Sequence, residues 1–229
     1  MPLIHAEVLR KHHLLKPPLL HDPSQVLYLP FDKDDGAYAR DRSGHKNHGT
    51  IYGATPIAGK VGSALSFNGV DNYILAPNIQ VNHITTLAWI KRDLMGVNHT
   101  ISACGYWSGE RQWHFFVDNA NELQLRISFD GINWQTVYSY HSIPTAWTHV
   151  AAVYDGTQMR LYINGVQEPN VTNVTGTIFK SSAVSYVGCR INLPPQDPTW
   201  FKGIVDEVRI FNRALSLAEI VRLMNMRGI

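Results

Sequence analysis

Phe201-Lys-Gly-Ile-Val-Asp-Glu-Val-Arg-Ile-Phe-Asn-Arg-Ala-Leu-Ser-Leu-Ala-Glu219 reads as a strand running into a capped helix. Successive strand side chains point to opposite sides, so Ile204, Asp206, Val208 and Ile210 are expected on one face and Val205, Glu207, Arg209 and Phe211 on the other. Ser216 and Glu219 have the spacing of a capping box, and Leu215 with Ile220 that of a hydrophobic staple. Leu217, Ile220, Val221 and Met224 then recur at helical spacing and predict a short helix with one apolar face.

Upstream, the pattern is one of short strands punctuated by turns. Candidate strands are 26–31, 64–67, 73–76, 86–91, 113–117, 122–129, 134–138, 148–154, 159–163 and 184–187. Asn68-Gly69, Asp130-Gly131, Asp155-Gly156 and Asn164-Gly165 mark turns between them. Many short strands with regular turns predict an all-β antiparallel sandwich or jelly roll rather than alternating α/β units. No internal repeat stands out. A chain of 229 residues suits one domain, and 45% apolar with 17% charged residues excludes global disorder.

Five segments in order carry a family resemblance. Asp41-Arg-Ser-Gly-His-Lys-Asn-His-Gly-Thr-Ile51 resembles an early turn of Asp-x-Ser-Gly followed by Asn-His-Gly. Gly62-Ser-Ala-Leu-Ser-Phe-Asn-Gly-Val-Asp-Asn-Tyr-Ile74 is similar to Gly-x-Ala-Leu-x-Phe-Asp-Gly-x-Asp-Asp-Tyr, with Asn68 and Asn72 where Asp is usual. Leu87-Ala-Trp-Ile90, the run Ala146-Trp-Thr-His-Val-Ala-Ala-Val-Tyr-Asp-Gly156 with Leu161-Tyr-Ile-Asn-Gly165, and the ending quoted above complete the set. Together they cover about residues 26–226 and resemble laminin G-like jelly-roll domains of the concanavalin A-like lectin/glucanase superfamily. A common fold hosts many sites, so the resemblance implies a fold before it implies a function.

Residues 1–25 stand apart from the domain at 26–229. They hold Pro2, Pro17, Pro18 and Pro23, and four histidines, His5, His12, His13 and His21. Leu3, Ile4, Val8, Leu9, Leu14 and Leu15 make this stretch more apolar than a solvated tail. It reads either as a frayed leader or as an extended arm docking on a neighbouring subunit, which implies a homo-oligomer or larger assembly. Metal binding by the histidines is the weaker alternative. No secretory signal and no transmembrane segment is visible in the sequence, so no membrane insertion is expected. That leaves a cytoplasmic protein, a chain whose leader was removed, or a virion component. A net charge of +2 gives no electrostatic case for nucleic acid. Cys104 and Cys189 read as buried free thiols, with one disulfide as the alternative. Asn98, Asn170 and Asn173 lie in sequons but read as ordinary asparagines.

The glucanase branch of the superfamily works with clustered carboxylates on one strand face, about 5 Å apart. Asp206 and Glu207 are adjacent and expected on opposite faces, while Glu110, Glu122 and Glu168 read as isolated solvated residues, so no enzyme is expected. No Gly-x-Ser-x-Gly elbow supports a serine nucleophile, and His149, alternating with Trp147, reads as a packed structural histidine. The resemblance implies one structural Ca²⁺ held by Asp32, Asn47 and Asp206, with Asp41 a weaker candidate; alternatively Asp41 and Asn47 stabilise turns and Asp206 pairs with an arginine.

Of the six tryptophans, Trp89 and Trp147 lie in family strand motifs and read as core, and Trp113 and Trp134 are open. Tyr106, Trp107 and Trp200 lie in loop-rich stretches and form the expected aromatic rim, where a flat ring can cover the apolar face of a sugar. The leading expectation is a non-catalytic recognition or adhesion module binding glycan or protein through these residues. The alternative is a virion surface protein, a capsid decoration or appendage, assembled through the arm. Either places the sandwich on an extracellular-facing or virion surface.

Overall fold

Strands with one apolar face must bury it, and the chain does so with two antiparallel sheets packed face to face. The computed structural model describes residues 22–32, 36–105, 109–191 and 199–226. In chain order the strands are β1 (Gln25–Leu29), β2 (Tyr38–Ala39), β3 (Gly49–Tyr52), β4 (Thr55–Ala58), β5 (Ser63–Asn68), β6 (Tyr73–Ala76), β7 (Ile84–Arg92), β8 (His99–Cys104) and β9 (Trp113–Val117). They continue as β10 (Glu122–Ile127), β11 (Gln135–Ser142), β12 (Thr148–Tyr154), β13 (Gln158–Ile163), β14 (Val166–Asn173), β15 (Ser185–Val187), β16 (Cys189–Arg190), β17 (Thr199–Trp200) and β18 (Lys202–Phe211), followed by helix α1 (Leu217–Met224).

The first sheet runs β14-β13-β12-β7-β18-β5-β4, with β1 also paired to β18. The second runs β11-β10-β9-β8-β15-β6-β3-β2, and β16 with β17 forms a separate hairpin. The expected all-β sandwich with a C-terminal helix is therefore present. The proposed arm residues Leu3, Ile4, Val8, Leu9, Leu14 and Leu15 lie outside the described residues. Among the described residues, no helix is long and apolar enough to cross a membrane.

Trp113, Phe115, Leu125, Val150, Tyr154 and Val205 meet in the core between the sheets. One polar link crosses it: Thr86 Oγ1 of β7 and Ser102 Oγ of β8 share a hydrogen bond of 3.1 Å. Cys104 and Cys189 are buried free thiols, as expected. A second apolar cluster lies on the outer side of the first sheet, where Ile220 and Leu223 of α1 pack on Leu87, Val153 and Phe211. The capping box of Ser216 and Glu219 forms, and Leu215 and Ile220 join the same cluster. Leu217 is exposed rather than on the buried helix face, because it is the first helical residue and points away from the sheet.

The strict alternation expected along β18 breaks. Glu207 adopts φ 53°, and the register of β18 against β7 shifts between Asp206 and Arg209. This bulge puts Val205 into the core with Val208 and Ile210, not on the opposite face. Further corrections concern Glu168 and Trp147. Glu168 is buried in β14 and accepts the backbone N–H groups of Tyr140 and His141 in β11, each at 2.9 Å, so it ties the edges of the two sheets together instead of facing solvent. Trp147 is half-buried just ahead of β12 rather than part of the core. His149 is a packed histidine as expected, edge-on to Trp89 at 5.3 Å.

The two ends of the described sandwich are joined. Arg213 Nη2 donates to Asp22 Oδ2 at 2.5 Å and to Glu219 Oε1 at 2.8 Å, while Nε donates to Ser24 Oγ at 2.9 Å. Asn212 N donates to Ser24 O at 2.7 Å, which extends the β1–β18 pairing by one step.

Candidate ligand-binding face

Helix α1 covers part of the outer side of the first sheet, whereas no helix covers the second sheet among the described residues. The outward positions of the second sheet follow from alternation. Trp113 and Phe115 are core, so His114 points out; Leu125 and Ile127 are core, so Arg126 points out. Register places Leu75, Tyr186, Ala103, His114, Arg126 and Thr136 side by side across successive strands. Neighbouring strands are about 4.8 Å apart, so Tyr186 and His114 are about 10 Å apart across Ala103, and all three are buried.

One end of this face is aromatic. Tyr52 of β3 and Tyr73 of β6 stack at 4.5 Å with planes 11° apart. Trp200 and Tyr186 tilt against Tyr73 at 6.0 Å and 6.2 Å. Tyr52 is 41% exposed, and Tyr73 and Trp200 are half-buried, so the rings present both packed and open surface. Trp200, expected at the rim, therefore sits in an aromatic platform. Tyr106 and Trp107 lie outside the described residues.

The other end is cationic. His114 stacks on Phe116 at 4.1 Å, and the Arg126 guanidinium lies 4.8 Å from the centre of the same Phe116 ring. Arg111 and Arg190 flank the Trp134 ring at 5.5 Å and 5.4 Å. Arg126 donates from Nε and Nη2 to Gln124 Oε1, and Gln124 Nε2 donates to Asp118 Oδ2 at 2.5 Å. His114 Nε2 shares a hydrogen bond of 2.9 Å with Thr100 Oγ1, which shares another of 2.7 Å with Thr199 Oγ1. Burial, with the charges of Arg190 and Arg126, holds His114 well below the usual histidine range, so it is neutral. Burial also lowers Arg190 to about 10, with Arg111 and Arg126 adding in the same direction. The β16–β17 hairpin joins the two ends, with Cys189 opposite Trp200 and Arg190 opposite Thr199.

The candidate calcium residues divide. β5 pairs Lys202 to Val205 and β1 pairs Val208 to Phe211, so both strands lie end to end beside β18. Asp206 sits at the junction. Its Oδ2 accepts Val61 N at 2.9 Å, and Asp32 Oδ1 accepts Ser63 N at 2.8 Å, so both carboxylates grip the β4–β5 turn. Asp206 Oδ1 is buried and has no hydrogen-bond partner among the described residues. Burial raises this carboxyl to about 7, and the neighbouring Glu207 charge adds to the rise. Glu207, not Asp206, pairs with an arginine, at 2.6 Å from Arg209. Asn47 is elsewhere: its Nδ2 donates to Val26 O at 2.8 Å, and its backbone N–H donates to Asp41 Oδ2, also at 2.8 Å. Asp41 also accepts Tyr28 N and Ser43 N, so Asp41 and Asn47 organise the turn beside β1. Among the described residues, no three His, Cys, Asp or Glu side chains cluster as a metal site.

The residues of the second sheet's outer face escaped the sequence reading, although a signal was present. His114 and Phe116 alternate with core residues, as do Gln124 and Arg126, which puts each pair on the outward parity of its strand. Only the register shows that the two strands are neighbours.

Comparison with known proteins agrees with this architecture. Domain 4 of AbnA, a GH43 extracellular arabinanase from Geobacillus stearothermophilus solved with arabinotriose, superimposes with a TM-score of 0.70 at 24% identity, over 88% of this chain and 98% of that one. The binding domain of botulinum neurotoxin DC, solved with rat synaptotagmin II, gives 0.66 at 15% identity, over 89% of this chain and 52% of that one. Both show a shared fold. Pappalysin-1 of Mus musculus is 29% identical over 140 residues, and the match spans 55% of this chain but 8% of that protein. The family model for the concanavalin A-like lectin/glucanases superfamily matches residues 68–221, two thirds of the chain, and the protein belongs to that superfamily.

Proposed function

We propose that the protein is a non-catalytic recognition module that binds a saccharide at the aromatic end of the second sheet's outer face, where Tyr52 is exposed and Tyr73 and Trp200 are half-buried. The observation that carries this reading is the partly exposed platform of Tyr52, Tyr73 and Trp200. Flat rings cover the apolar face of a sugar, and a few placed polar groups fix its orientation. The arabinotriose complex of the similar arabinanase domain supports a saccharide as the ligand class. The absence of catalysis is part of the proposal, and the commitments of the carboxylates support it. Glu207 is held by Arg209 and Tyr28, Glu168 by the β11 backbone, and Asp118 by Gln124.

A structural Ca²⁺ belongs to the same proposal. The Asp206 Oδ1 atom is the kind of orphan oxygen a hard cation satisfies, and Asp32 supplies a second carboxylate on the same turn. Two carboxylates fall short of the six to eight oxygens that calcium takes, so loop carbonyls would complete the set.

A glycan array probed in calcium and again in chelator tests the reading, with Tyr73→Ala and Trp200→Ala as variants. Binding that weakens about tenfold in either folded variant is the expected result, equivalent to about 1.4 kcal/mol of lost stacking. A protein that binds no saccharide, or binds one equally well in both variants, would rule it out.

A further inference from the structure

Residues 93–98 join β7 to β8, and all of them are exposed, so they project as a tip from one end of the sandwich. Leu94, Met95 and Val97 on this tip are 43%, 53% and 43% exposed. Apolar side chains scattered singly over a surface are ordinary, but three within four consecutive positions form a patch. Val70, 66% exposed on the β5–β6 turn, adds a fourth. Both turns leave the first sheet at the same end, because Asn68 lies opposite Lys202 and Arg92 lies opposite Gly203. Asp93 N donates to Lys202 O at 3.1 Å, which ties the tip to the start of β18.

The backbone of the tip is satisfied from below. His99 Nε2 donates to Leu94 O at 3.1 Å, and His99 Nδ1 accepts Lys202 N at 3.2 Å, so both ring nitrogens are used and the tautomer is fixed. Burial, with the Arg92 charge adding to it, lowers His99 to about 4, so the ring is neutral. Asn121 Oδ1 accepts Gly96 N at 3.1 Å and Arg92 Nη1 at 3.2 Å. Chain that enters an apolar medium must have its backbone polar groups satisfied by the protein. Leu94 O and Gly96 N, one from each peptide bond of Met95, meet that condition. The charges flanking the two turns cancel in number, Lys91 with Asp93 and Lys202 with Asp71, so the adhesive part of this surface is apolar.

We propose that the tip formed by Leu94, Met95 and Val97, with Val70 beside it, docks into the interfacial layer of a lipid bilayer. A projecting apolar tip has no groove to receive a rigid partner, whereas a soft layer closes around it. Such docking buries a few apolar side chains at the boundary of headgroups and acyl chains and needs no membrane-spanning segment. The aromatic platform adjoins the tip, since Tyr73 follows the Val70 turn and Trp200 stands just before Lys202 in the chain. A docked tip therefore sets the platform at the membrane surface, within reach of saccharides displayed there. That consequence rests on the saccharide-binding reading; the docking itself does not.

Flotation with phosphatidylcholine vesicles over a range of lipid concentrations tests the docking. The wild type should float with the vesicles equally in low and high salt, and added phosphatidylserine should change little, because the attraction is apolar. The double variant Leu94→Ser, Met95→Ser should bind vesicles at least about tenfold more weakly, and Met95→Asp provides an independent check should the first variant fold poorly. Ile132→Ser should bind as the wild type does, since Ile132 is no less exposed but lies on the β10–β11 turn at the opposite end. A wild type that stays with the soluble fraction, flotation that requires phosphatidylserine, or equal binding by the tip variants overturns the docking. Dimerisation of the wild type that Met95→Asp abolishes, without flotation, assigns the tip to a second copy of the chain and overturns it too. A blank glycan array beside intact vesicle binding removes the saccharide alone, and saccharide binding without flotation removes the membrane alone.

Discussion

Replacing Asp206 with Asn changes how stability depends on pH, and the size of the change follows from one buried oxygen. Asp206 is fully buried and its carboxyl is raised from 3.8 to about 7, chiefly by burial. The folded protein therefore holds this proton more tightly than the unfolded chain does. The Asp206 contribution to stability is complete below 3.8 and is lost as pH rises through 7. Linkage with these two values gives a loss of about 2 kcal/mol between pH 5 and pH 7, and about 3 kcal/mol by pH 9. Asp206→Asn keeps an acceptor for Val61 N and cannot ionise, so its curve lacks this slope. Urea unfolding of both proteins at pH 5, 7 and 9 in chelator measures the difference. Parallel curves would falsify the assignment of a raised carboxyl to this site. Repeating the series in calcium adds a second reading. A cation on Asp206 and Asp32 stabilises the wild type over the variant at pH 7 by mass action, and no gain with calcium argues against the metal.

Three further outcomes are expected. Burial depresses His149 to about 3, so its contribution is present above the usual 6.5 and is lost as pH falls from 6.5 through 3. The wild type should lose about 2 kcal/mol between pH 7 and pH 5 from this group, and His149→Gln should lack that part of the acid slope in urea melts. Gly188 has φ 82°, and a Cβ there would overlap the Phe67 ring, so Gly188→Ala should cost at least about 2 kcal/mol by thermal unfolding; a cost below 0.5 kcal/mol would show that β16 can shift without penalty. Ser216→Ala removes the α1 cap and should lower stability by about 1 kcal/mol with the sandwich intact by near-UV circular dichroism, whereas an unchanged denaturation midpoint would mean that the cap contributes nothing.

What the sequence disclosed depends on how local its cause was. β9 and β12 were legible to the residue because their largely apolar runs stop at Asp118-Asn119 and Asp155-Gly156. The β13–β14 turn was legible because Asn164 and Gly165 take the positive φ values, 49° and 77°, that a type I′ turn requires. β14 was not, since it carries Pro169 and little apolar alternation and is held as a sheet edge by Glu168 and β13. The bulge at Glu207 left no mark either, because a non-glycine residue with positive φ is imposed by β5 and β1 meeting beside β18. The binding face was half legible. Trp200 stood out by composition, but Tyr73, His114 and Arg126 look like ordinary outward residues until the register sets them side by side.

The clamp at Arg213 has a mechanical meaning. Gln25 lies opposite Phe211 in an antiparallel pair, so the chain enters β1 and leaves β18 at the same end of the ladder. Tension arriving through residue 22 on one side and residue 212 on the other would load the hydrogen bonds one at a time, like a zipper, rather than all together in shear. β1 would then peel away at low force while the rest of the sandwich stayed closed. Arg213, which holds Asp22, Ser24 and Glu219 at the mouth of that zipper, is the catch that must open first.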